Sequence, residues 1–147
     1  MKLFYQHELE NLRTKLILIG EKANEAARIA VDGLLENDLA KIDQALALDD
    51  AIDALEVEID QASVRYITLR SPVSSDVRSI LVAIKASHDL ERAGDEAHSI
   101  ALRAKEILTS DGRSGDTVAI GQMSLLSCSM MADAISALVE GDVKLAK

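Results

Sequence analysis

Apolar residues recur every three to four positions along almost the whole chain, and a single proline, Pro72, interrupts them. That period marks helices with one buried stripe. Strand-favouring aromatics are reduced to Phe4, Tyr5 and Tyr66, while Ala, Leu, Ile, Glu, Asp and Lys dominate. The expectation is an all-α fold, an antiparallel bundle of long helices with little or no sheet. At 147 residues and 48% apolar, the chain is long enough to bury a core.

From Leu3 to about Glu36, Leu9, Leu12, Leu16, Ile19, Ala23, Ala26, Ala30 and Leu34 keep helical spacing, and Gly20 and Gly33 weaken that helix slightly. Asn37 or Asp38 closes it and caps the next, because short polar side chains satisfy orphan backbone groups. A second helix is expected from about Leu39 to Leu69, facing inward through Ala45, Leu48, Ile52, Leu55, Ile59, Ala62 and Tyr66. Pro72 fits the first turn of a third helix behind a Ser71 cap. That helix extends to about Leu108, with Val77, Leu81, Ile84, Leu90, Ala97, Ala101, Ala104 and Leu108 as its apolar positions. Residues 109–116 are turn formers and read as a loop.

Past the loop, residues 118–140 are helical again and echo the first helix at an offset of 104. Ala30, Leu34, Glu36 and Asp38 match Ala134, Leu138, Glu140 and Asp142. The organisation is therefore a three-helix unit over 1–108, a loop over 109–116, and the first helix of a second unit over 117–147. Met123, Leu126, Met130, Met131 and Leu138 would lack the helices that should cover them. Self-association as a homodimer, or docking back onto the bundle, is expected.

A net charge of −9, with no Lys/Arg cluster, argues against nucleic-acid binding. The lone Cys128 reads as a small core residue in a reducing compartment. Neither a signal-like apolar run at the N-terminus nor an 18-residue apolar stretch is present, so the expectation is a soluble, cytoplasmic protein. Nucleophile elbows, phosphate-cradling glycine loops and Cys/His zinc spacings are missing, which points away from an enzyme.

Two acidic seams remain. His88, Glu91, Asp95 and His98 fall on one side of the third helix, and Asp49, Asp53, Glu56 and Asp60 repeat along the second. Like charges one turn apart cost a helix roughly 0.2–0.5 kcal/mol per pair unless a cation offsets them. The seams read either as solvated faces or as a site for a hard cation, with Fe, Mn and Mg best suited to carboxylate oxygens. His88 or His98 could add a nitrogen, since Asp95-x-x-His98 has the i, i+3 spacing of bundle di-metal sites. A di-metal oxidoreductase of the ferritin-like type is the rival reading, although only the third helix carries such a motif. Arg92 lies off the stripe and suits an acid on a neighbouring helix or a partner; Arg78, with Asp76, suits surface pairing or recognition.

The stretches Leu35-Glu36-Asn37-Asp38, Asp49 to Glu56, Pro72 to Arg78 and Asp89 to Asp95, in that order, resemble the PhoU family of phosphate-uptake and phosphate-signalling regulators. The resemblance implies two three-helix repeats and a D/E-x-x-x-D motif in the second and third helices of each, able to hold multinuclear metal clusters. Carried over, Asp49 with Asp53 is one pair and Glu91 with Asp95 the other, with Glu56 and His98 as further candidates. It also implies negative regulation through a phosphate ABC transporter ATPase and a phosphate-sensing histidine kinase, without enzymatic activity and with membranes met only through partners. A related regulatory domain of another transporter differs in partner alone.

Overall fold

A computed structural model of the chain describes residues 2–110, 115, 117–142 and 144–145, with side chains from His7 onward. Five helices follow in order: α1 (Lys2–Glu36), α2 (Leu39–Ala47), α3 (Asp49–Arg70), α4 (Ser74–Thr109) and α5 (Val118–Glu140). The described residues contain no strand. The fold is an all-α bundle.

The α1–α2 turn uses both of its polar residues. Asn37 takes the left-handed conformation at φ 57° and ends α1, and Asp38 caps α2 by accepting from the Ala40 and Lys41 amides at 2.9 and 3.2 Å. A Cβ on Gly33 would lie 2.7 Å from Ile42 Cγ1, so glycine is what allows α2 to fold back this tightly.

The expected second helix is broken. At Leu48 the amide turns to the Ala45 carbonyl three residues back, at 3.2 Å, and α3 starts afresh with Asp49 and Asp50 in its first turn. Two acids there favour a new helix N-terminus over the middle of a continuing helix. The third helix also starts later than Pro72. Ser71 closes α3 in the left-handed region at φ 45°, Val73 occupies the cap position, and α4 begins at Ser74.

α1 lies at the centre. Leu12, Leu16, Ile19, Ala23 and Ala26 pack against Ile52, Leu55, Ile59 and Tyr66 of α3 and Ile80, Ala83 and Ala97 of α4. Further along, Ala30 and Leu34 meet Ile42 and Ala45 of α2 and Ala101 and Ala104 of α4. The bidentate pair of Arg70 with Glu8, 3.1 Å at each contact, ties the end of α3 to the start of α1. On α4 the buried face is Ile80, Ala83, Ser87, Gly94, Ala97, Ala101 and Ala104, whereas Leu81, expected inside, is 49% exposed.

α5 docks along α1. Gly20 faces Ile135, Leu35 faces Gly121, and Arg13 donates to the Val139 carbonyl, so the two helices run antiparallel. Met131 packs on the main core while Met123, Leu126 and Met130 are exposed. Residues 111–114 and 116 of the expected loop, and residues 143 and 146–147 beyond α5, lie outside the described residues.

Candidate metal centre

α3 and α4 run antiparallel, so the acidic start of α3 meets the second half of α4. Gly94 sets how closely. A Cβ there would lie 2.9 Å from Ile52 Cδ1, so its absence lets the two backbones approach and brings the seams face to face.

Two groups of ligand-type atoms result, with the atoms of each within 4.8 Å of one another. One is Asp49, Asp53 and Asp95; the other is Glu56, His88 and Glu91. Of the four residues expected to form one set, three assemble and Glu91 sits with the neighbouring group. The two groups are contiguous, because Glu91 feels the charges of both Asp53 and Asp95. Asp60 belongs to neither group.

Both histidines of the α4 stripe turn to α3. His88 Nδ1 lies 3.3 Å from Glu56 Oε1 and 3.9 Å from Glu91 Oε2. His98 Nδ1 lies 3.1 Å from Asp49 Oδ2, within ion-pair range but off the line of a hydrogen bond, and Asp49 Oδ1 is buried with no partner at all. Burial pushes the Asp49 carboxyl above its usual range; His98 opposes the rise, and Asp53, Asp95 and Asp50 add to it. Glu91 is raised by burial, then by Asp95, Glu56 and Asp53. Carboxyls held this way, one with an orphaned oxygen, suit a hard cation, which supplies both the missing contact and the missing charge.

Arg92 and Arg78 are exposed and make no ion pair among the described residues. Arg78 joins Arg13 on the rim of an apolar cleft between α1, α4 and the end of α5. The pairing of His88 with Glu56 across the helices is the feature that sequence periodicity does not reach. It depends on the register of α3 against α4, which Gly94 and Ile52 decide.

A family model described as the PhoU domain matches residues 16–104, taking in every residue of both groups. The chain belongs to the PhoU family. It is 35% identical over 147 residues to a "Phosphate-specific transport system accessory protein PhoU homolog" of Aquifex aeolicus, covering all of this chain and 65% of that one. A Pseudomonas aeruginosa relative with the same description is 31% identical, over 97% of this chain and 59% of its own. The crystal structure of PhoU from Pseudomonas aeruginosa superposes with a TM-score of 0.90 at 30% identity, over 96% of this chain and 68% of that one. The chain thus spans about three fifths to two thirds of these PhoU proteins.

Proposed function

We propose that the chain is a metal-binding regulator of phosphate uptake and phosphate signalling that acts through contacts with other proteins. The observation that carries the metal part is the meeting of Asp49, Asp53 and Asp95 across two helices beside a buried, unpartnered carboxylate oxygen. Membership of the PhoU family, and relatives described as accessory proteins of a phosphate-specific transport system, support the regulatory part.

Asp49, Asp53 and Asp95 would hold the cation, with Glu91, Glu56 and His88 beside them and His98 against Asp49. Fe, Mn and Mg fit an oxygen-rich set of this kind. The ion supplies positive charge that ties α3 to α4. Its regulatory output is a rigid helical face presented to partners in the cytoplasm, for which a transporter ATPase and a phosphate-sensing histidine kinase are the candidates. Negative regulation follows if such contact restrains them; no chemical step is assigned to the protein.

Elemental analysis after chelator-free purification, on wild type and on Asp53→Asn with Asp95→Asn, tests this reading. Wild type is expected to retain Fe or Mn and the variant to lose it. At 100 times its dissociation constant the metal should add about 2.7 kcal/mol to wild-type stability. Empty protein in both cases, with no thermal gain on adding metal, overturns the site. Oxygen uptake on adding ferrous iron would instead mark a di-metal oxidoreductase.

A further inference from the structure

α4 carries its cations in a line. Arg78, Lys85 and Arg92 recur every seven residues, which on a helix keeps them on one face, drifting only ~20° per step and standing roughly 10 Å apart. Arg103 returns to the same line eleven residues further on. Such spacing leaves no basic run in the sequence, and it forms a ladder only because α4 is one continuous helix from Ser74 to Thr109. The neighbours on either side fix which way the ladder points. His88, on one side, reaches Glu56 of α3, and Ala86 and Leu90, on the other, line the cleft against α5. The line between them faces outward, and all four cations are exposed.

Among the described residues Arg78, Lys85 and Arg92 form no ion pair. Asp89 and Glu96 follow Lys85 and Arg92 by four positions, base before acid, which is the weaker order for a pair on one helix. Apolar side chains stand among the bases: Leu81 and Val82, 49 and 47% exposed, lie between Arg78 and Lys85, and Ile100, 42% exposed, precedes Arg103. Unpaired bases a fixed step apart, with exposed apolar groups between them, complement a helix that carries acids at the same step and apolar residues beside them. A polyanion fits less well, because Asp89 and Glu96 lie along the line and repel a chain of phosphates, as does the net charge of −9. Against a protein helix the same acids select a base in register.

We propose that the outer face of α4, from Arg78 to Arg92, docks an amphipathic helix of a partner protein. That helix carries acids seven residues apart against the three bases, apolar residues against Leu81 and Val82, and a base against Asp89. The proposal names a surface and a partner chemistry for a chain that acts through contacts with other proteins, and it rests on that reading.

Titration of the full chain into a fluorescent synthetic helix of this pattern, with glutamates seven apart and leucines between them, tests the proposal. Wild type is expected to bind it, more weakly as salt rises. Arg78→Glu with Lys85→Glu should bind about tenfold less tightly at unchanged helix content, and a peptide with lysines at the facing positions should recover binding to that variant. Arg65→Glu with Lys22→Glu, the same change of charge away from the ladder, should bind like wild type. No binding by wild type overturns the proposal, as does equal binding by the ladder variant, an equal loss in the control variant, or equal binding of a scrambled peptide of the same composition. Tighter binding of inorganic polyphosphate than of the peptide assigns the ladder to polyanions and overturns it too. The titration reads no regulatory output, so its failure strikes this face alone; the protein-contact reading fails separately, if the chain leaves phosphate uptake unchanged.

Discussion

Asn24 on α1 and Cys128 on α5 reach for each other's main chain: Asn24 Nδ2 donates to the Cys128 carbonyl at 3.2 Å, and Cys128 Sγ donates weakly to the Asn24 carbonyl at 3.9 Å. The two are 104 residues apart, the same offset at which α5 repeats α1. The contact is reciprocal and joins positions that this offset relates in the sequence, with α1 and α5 running antiparallel through it. The flanking contacts agree, since Gly20 with Ile135 and Leu35 with Gly121 fall on opposite sides of that point.

Asn24→Ala removes the donor to the Cys128 carbonyl and should cost about 0.5–1.5 kcal/mol. The loss should localise. Hydrogen exchange is expected to speed up across Val118–Glu140 while α3 and α4 keep their protection, and uniform loosening of the bundle would count against the contact as the anchor of α5.

Gly94→Ala introduces a Cβ 2.9 Å from Ile52 Cδ1 and 3.0 Å from Cγ2. Separating α3 from α4 to admit it should cost about 1–3 kcal/mol and weaken cation binding at the facing carboxylates. Ile52→Val, by removing Cδ1, should recover part of both losses; denaturant melts and metal titration of the single and double variants read the result.

Asp49 and Glu91 give the stability of the metal-free protein a pH dependence of definite sign. Burial leads in raising both carboxyls, so each binds its proton more tightly folded than unfolded. Their contribution is fully present below the ordinary Asp and Glu values, 3.8 and 4.5, and is lost as pH rises through the higher folded values. In chelator at pH 7, Asp49→Asn should therefore stabilise the fold by roughly 0.5 kcal/mol, with the gain fading in thermal melts taken in acid. Saturating Mn²⁺ should reverse the order, favouring wild type.

Asp38→Ala strips α2 of the acceptor for two amides and should cost about 1 kcal/mol, with Asp38→Asn close to neutral. A thermal melt of each variant reads the difference.

The helical content and the turn at Asn37 and Asp38 were legible because period and capping chemistry are local. The break at Leu48 was not: the apolar stripe runs unbroken through Ala45, Leu48 and Ile52, and only the tertiary path of the chain distinguishes a bend from a straight helix. On α4, counting apolar residues favoured Leu81 and passed over Ser87 and Gly94, yet those two are buried and Leu81 is not. Where helices approach closely, small size decides which face turns inward, and polarity does not reveal it. For the carboxylates, periodicity put each acid on its own stripe. Which acids meet across α3 and α4 is set by the register at Ile52 and Gly94, so the stripes alone do not divide Glu56, His88 and Glu91 from Asp49, Asp53 and Asp95.

Of the 25 acids and 16 bases in the chain, α5 holds two acids and no base. Charge is therefore segregated, with an acidic flank where α3 meets α4 and an electrically quiet flank along α5. Ionic strength should act on the two in opposite directions. Screening weakens the pull of the carboxylates on a cation, while a salting-out anion such as sulfate strengthens apolar burial along α5.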